Sequence, residues 1–383
     1  MKRLLAACLA LAVTGCSLFR SHDNTAPPAK LEPIKQSVTI RKVWDHDTGE
    51  GTDGQRLKLT TAEHEEHIFV ADRSGRVESL SRDNGRRVWK TETGLNLSAG
   101  PGVGEGLVLI GTSNGQVVAL DENTGKQRWL IDVPSEVLAV PRAQLGVVIV
   151  QTVDGDLTGY DAQTGERRWN FDRTEPVLTL RGTSSPLVID DIVLAGFASG
   201  KLVALDVKSG RQLWEASVAV PSGRSEIEQL VDLDADVVVR DNVLYVVGFQ
   251  GHLAAVDLRG GSVIWTREMS AYAGLAVDDR QVYVTDENSQ VWALERDSGR
   301  SMWKQDKLLH RNLTGPVRIG DYLAVGDYQG YLHLLSIEDG SLVGRLRIDS
   351  AGIQVVPQVD DDRLLVLGAG GRLAALRITG KTS

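Results

Sequence analysis

Cysteine is almost missing from this chain: two in 383 residues, Cys8 and Cys16. Both lie in the first sixteen positions, so no pair remains to staple a folded body. A long basic run is also missing, and the net charge is −9, which argues against nucleic acid as a partner. No apolar stretch reaches the roughly 18 residues that would suggest a membrane-spanning helix. The seven histidines do not cluster. His64-Glu-Glu-His67 lacks the His-Glu-x-x-His spacing of zinc proteases and reads as a polar turn with a short strand beside it. What the chain does have is 42% hydrophobic residues, enough for a large core, and 40 glycines. That is more glycine than the average usage of roughly 7%, which favours many tight turns.

The N-terminus reads as an address. Lys2 and Arg3 precede the apolar run Leu4 to Val13, and Val13-Thr14-Gly15-Cys16 closes it with small residues before a cysteine. Residues 1–15 are therefore expected to be a secretory signal, too short to span a bilayer. The closing residues resemble a bacterial lipobox, which implies that Cys16 becomes the acylated first residue of the mature chain. Ser17, rather than Asp, follows it, which in such lipoproteins implies the outer membrane. Loss of Lys2 and Arg3 takes the net charge from −9 to −11. Residues 16–37 carry no periodic pattern and are expected to form a lipidated, flexible tether.

Everything after the tether is one repeat. Gly-x-x-x-Trp recurs as Gly85/Trp89, Gly125/Trp129, Gly165/Trp169, Gly210/Trp214, Gly261/Trp265 and Gly299/Trp303. A seventh copy, Gly340/Gly344, lacks the tryptophan, and Trp44 stands 45 residues before Trp89. Successive spacings from Trp89 to position 344 are 40, 40, 45, 51, 38 and 41, the period of a propeller or solenoid. The local pattern decides between them. Residues 184–218 offer four short strands near Ser185–Ile189, Ile192–Phe197, Lys201–Val207 and Arg211–Ala216, with Gly, Asp and Ser between them. Such a unit has no room for an amphipathic helix of ten residues or more. An antiparallel meander repeated every ~40 residues predicts β-propeller blades.

Residues 45–380 divide into eight units averaging 42. The last unit offers only three strands, Gln354–Val359, Arg363–Gly368 and Arg372–Ile378, whereas Thr39–Trp44 is a strand without a unit. The sequence therefore predicts an all-β, eight-bladed propeller of four-stranded blades over residues 38–380. The N-terminal strand should close the last blade, and residues 381–383 should form a tail. The tryptophans at 44, 89, 129, 169, 214, 265 and 303 are expected to serve the scaffold: each ring covers a seam and its N–H reaches a backbone acceptor.

The unit Ala119-Leu-Asp121-x-x-Thr124-Gly125-x-x-x-Trp129 resembles the quinoprotein-type blade, over essentially the whole chain after residue 38. Eight such blades behind a lipobox resemble the BamB family of lipoproteins, which belong to the machine that inserts β-barrel proteins into bacterial outer membranes. That resemblance implies a non-enzymatic scaffold with no cofactor, which docks on the periplasmic (POTRA) domains of the barrel protein BamA. Two other readings stand beside it. One is direct capture of unfolded outer-membrane proteins by strand addition to a sheet edge. The other is a quinone-dependent dehydrogenase. The dehydrogenases are longer, hold a calcium with acidic and amide side chains, and commonly carry an adjacent cysteine pair that this chain lacks.

Other motifs dissolve on inspection. Gly111-Thr-Ser113-Asn-Gly115 matches a hydrolase elbow, but it falls at a strand-to-strand hairpin where other units have Ser74-Gly75, Asp154-Gly155, Ser199-Gly200, Gln250-Gly251 and Gln329-Gly330. Asp232-x-Asp234-x-Asp236 begins like a calcium loop, yet Val237 and Val243 stand where Gly and Glu are needed. Repeat length points to binding instead. The 45- and 51-residue spacings place extra chain after Trp169 and after Trp214, in the same kind of connection on adjacent blades. These two connections should emerge side by side on one rim. The first holds Leu178, Leu180 and Arg181, and the second holds Asp232 and Asp234. The resemblance implies that these five residues form the surface that grips BamA.

Overall fold

The computed structural model describes residues 26–173, 184–219, 231–233 and 235–380. Among these, all regular structure is β. The strands form eight antiparallel meanders, each of four strands, arranged as a propeller. Blade 4 shows the common plan: Leu187–Ile189, Ile192–Gly196, Lys201–Asp206 and Gln212–Ser217, running from the axis outwards. Blade 8 is composite. Its inner strands, Gln358–Asp360, Arg363–Leu367 and Arg372–Gly380, are completed by Val38–Asp47 from the other end of the chain. Val38 pairs with Gly380 and Asp47 with Arg372, so the ring is tied shut by main-chain hydrogen bonds.

The middle strands of each blade are apolar runs rather than alternating ones, because both of their faces are covered. Side chains point alternately to the two neighbours. Leu202 and Ala204 face the blade 4–5 seam, whereas Val203 and Leu205 face the 3–4 seam. The result is eight hydrophobic clusters, one per seam.

Each tryptophan of the outer strands docks on the following blade. Trp129 donates its indole N–H to Ala162 O at 2.9 Å and lies against Gly165. The same bond joins Trp89 to Glu122 O, Trp169 to Val207 O, Trp214 to Leu258 O, Trp265 to Arg296 O and Trp303 to Ile337 O. The receiving turn is built by the Asp-x-x-Thr-Gly segment. Asp121 accepts from the Thr124 N–H and hydroxyl, and Gly125 adopts φ +69°. A Cβ on Gly125 would lie 2.5 Å from the Trp89 ring, so this glycine answers both the backbone angle and the close approach.

Blade 8 has no such turn, because its third and fourth strands come from opposite chain ends. The seventh repeat therefore has no plate for a tryptophan. Its position is Gly344, and Val38 and Ile40 of the N-terminal strand fill that space. Trp44 keeps the stacking, on Gly85, but its buried indole N–H has no partner. The equivalent carbonyl, Arg82 O, is taken by Arg363 Nη1 at 2.8 Å.

Two segments depart from the simple repeat. Lys58–Leu59 adds a short parallel strand to the inner edge of blade 2, beside Ala99 and Gly100. Residues 29–37, within the stretch expected to be a flexible tether, make contacts that such a tether would not make. Ala29 N–H bonds Leu309 O, Arg311 Nη1 bonds Ala29 O, Arg345 Nη1 bonds Glu32 O and Ser37 N–H bonds Val343 O. Leu31 packs at the blade 6–7 seam. This strap covers the outer strand of blade 7.

Candidate functional site

Connections from one blade to the next share a rim with the hairpins between second and third strands. The register shows it: Ala219 N–H bonds Gly200 O in blade 4, as Val133 does with Gly115 and Met269 with Gly251. The turns that receive the tryptophans, and the hairpins between first and second strands, lie on the opposite rim. The two enlarged connections, blade 3 to 4 and blade 4 to 5, therefore belong to one rim.

Their ends are held firmly. Before the first connection, Arg173 pairs with Glu215 at 2.7 Å and lies over the Phe197 ring, and Lys201 completes the pair on Glu215 at 2.5 Å. The hydrogen bond from Arg173, then that from Lys201, holds the Glu215 carboxyl below its usual range. After the two connections the chain re-enters at one place. Ser185 N–H donates to Asp236 Oδ1 at 2.6 Å, joining the end of one to the end of the other. Gly196 lies beneath both: a Cβ there would sit 3.0 Å from Leu233 Cβ and from Ser184 Oγ. Asp232 is only 4% exposed and exchanges backbone hydrogen bonds with Phe249. Leu233 beside it is fully buried at the blade 4–5 seam. Leu178, Leu180, Arg181 and Asp234 lie outside the described residues, as does Cys16.

A cavity of about 500 Å3 occupies the propeller axis, lined by the inner strands and by the connections that lead into them. Lys58, on the strand added to blade 2, reaches across to Asp236 of blade 5 at 2.6 Å. Burial alone would push the Asp236 carboxyl up, but Lys58 and the Ser185 N–H outweigh it and hold the group below its usual range. Arg142 also faces this space and makes no hydrogen bond among the described residues. Burial pulls its guanidinium down, against the pull of Asp236. Neither the repeat nor the motif search marked Arg142 or Lys58, because their significance depends on the axis formed by distant blades.

A calcium-bound quinone does not fit these residues. Among the described residues lining the cavity, Asp236 is the sole carboxylate, and Lys58 already holds it. No three His, Cys, Asp or Glu gather among the described residues as a metal would require. Ser113 sits on a hairpin between Leu107–Thr112 and Gln116–Asp121, away from any strand-to-helix turn. His64 and His67 pair across a two-residue hairpin in blade 1, as the polar turn requires.

Comparison with known proteins agrees with this geometry. A family model described as outer membrane protein assembly factor BamB matches residues 41–305. The assembly factor of that name from Pseudomonas aeruginosa is 50% identical over 370 residues, covering 97% of each chain. The crystal structure of BamB from Moraxella catarrhalis superposes with a TM-score of 0.82 at 29% identity, covering 88% of this chain and all of that one. Quinohemoprotein alcohol dehydrogenase from Comamonas testosteroni has a TM-score of 0.69 at 14% identity, over 90% of this chain and 77% of that one; this is a likeness of fold alone. The eight seams, the composite closing blade and these relatives lead to one conclusion: the chain belongs to the BamB family of outer membrane protein assembly factors.

Proposed function

We propose that this protein is a non-enzymatic scaffold for the assembly of β-barrel proteins into the outer membrane. It is anchored by acylated Cys16, faces the periplasm and binds the periplasmic domains of BamA. The observation that carries this reading is the convergence of the two enlarged connections at Ser185, Asp236 and Gly196. Holding both ends of a connection on the ring lowers the ordering cost that binding would otherwise carry. Leu178 and Leu180 supply the apolar anchor. Arg181 supplies a planar fork for carboxylate or carbonyl oxygens. Asp232, being buried, serves the surface by positioning, and Asp234 by direct contact.

Co-purification tests this. The full chain, tagged at its C-terminus, is recovered from detergent-solubilised outer membranes. BamA should accompany the wild type and be depleted with a folded Leu178→Ala/Arg181→Ala variant. Recovery of unfolded barrel precursors without BamA would favour strand addition over scaffolding. Retention of BamA by the double variant would move the site elsewhere on the ring. A Cys16→Ala variant with a cleavable signal should be soluble in the periplasm, since the lipid is its anchor.

A further inference from the structure

We propose that the axial cavity is a binding site for a small molecule that carries two oxyanion groups, carboxylate or phosphate, on an apolar body. The argument begins with charge. Among the described residues, Arg56, Lys58 and Arg142 line the cavity, and Asp236 is the one carboxylate beside them. Asp236 Oδ1 accepts from Lys58 and from the Ser185 N–H, both at 2.6 Å. Two guanidinium groups, that of the exposed Arg56 and that of Arg142, line the space with no hydrogen-bond acceptor among the described residues. Among the described lining residues cations outnumber carboxylates, in a chain whose net charge is −9. Within low-dielectric walls such an excess draws anions, and the guanidinium fork matches a carboxylate or phosphate in two places.

Size and lining supply the rest. The cavity falls within the range of about 300–1,000 Å3 that is typical of small-molecule sites. Its walls combine aliphatic side chains such as Val140 and Leu275 with a few polar groups, including Tyr272 and Asn312. Apolar walls with a small number of placed polar groups are the usual make-up of a ligand site, and here the polar groups of highest charge are cations. The Lys58–Asp236 pair bridges the axis between blade 2 and blade 5, so the cationic wall is fixed before any ligand arrives.

Calorimetric titration of the full chain in detergent tests the proposal, with three probes at matched ionic strength. Suberate carries two carboxylates on a six-methylene body, hexane-1,6-diol bisphosphate carries two phosphates, and suberamide is the neutral counterpart. At least one of the two anions should bind with Kd of about 1 mM or tighter, and suberamide should not. Which anion binds identifies the headgroup, and either one supports the site. Arg142→Gln should weaken binding at least tenfold and Arg142→Lys should restore part of it. Arg128→Gln, on an exposed outer strand, should change nothing. If Arg142→Gln does not fold, Arg56→Gln decides on the same criterion. The proposal is overturned if neither anion binds at about 5 mM, if suberamide binds as well as suberate, or if the folded arginine variants bind like wild type.

Discussion

Single residues at the closing seam differ from their counterparts around the ring, and the differences can be measured. Trp129 packs and donates a hydrogen bond, whereas Trp44 packs without one. Replacement by Phe should therefore cost more at 129 than at 44, by about 1 kcal/mol, the net worth of one buried hydrogen bond. Urea unfolding of Trp129→Phe and Trp44→Phe gives this difference directly. Glu63 stands at the same seam, beside Asp360 and the guanidinium groups of Arg82 and Arg363. Burial, then the charge of Asp360, pushes its carboxyl up from 4.5 to about 7. A raised acid binds its proton more tightly when folded, so its contribution is complete below pH 4.5 and is lost as pH rises through 7. Glu63→Gln removes the titration. The melting temperature of this variant should gain on wild type between pH 4.5 and 7.5 and then run parallel. A constant difference across that range would show that Glu63 titrates normally.

At the level of the element, the tight turn that receives each tryptophan depends on its glycine. Gly125 and Gly106 both have positive φ, but only Gly125 lies against a ring; Gly106 has open space around its missing Cβ. Gly125→Ala should cost the strain of about 1–2 kcal/mol that both share, plus a repacking cost against Trp89 that Gly106→Ala avoids. Much of this could be read from the sequence. The Gly-x-x-x-Trp period, the three-stranded last unit and the unpaired Thr39–Trp44 strand led directly to eight blades and N-terminal closure. Lys58–Leu59 could not be read, because a two-residue strand with no turn beside it has no pattern. The strap could not either: Ala29 and Glu32 act through backbone carbonyls, which any residue would supply. The candidate rim was legible as excess length, but the junction of Ser185 with Asp236 joins residues 51 apart in sequence and requires the closed ring. The strap changes one expectation. Deleting 26–37 should lower the melting temperature by a measurable amount, through loss of Leu31 packing and the Arg311–Ala29 bond. Deleting 38–44 should lower it far more, by opening the blade 8 edge and removing Trp44. Equal losses would contradict closure by the N-terminal strand.

At the scale of the whole molecule, the described residues form a ring of eight seams closed by the N-terminal strand Val38–Asp47. Under the proposed reading, the rim where the two long connections rejoin the ring together is the docking surface. An arginine at the centre of an interface commonly costs about 2 kcal/mol or more when truncated. The most direct measurement is therefore titration of purified wild type, Arg181→Ala and Ser113→Ala against the periplasmic domains of BamA, with circular dichroism as the folding control. Wild type and Ser113→Ala should bind alike, and Arg181→Ala at least roughly thirtyfold more weakly with its fold intact. No binding by the wild type, or a folded Arg181→Ala protein that binds like wild type, would contradict the proposed docking surface.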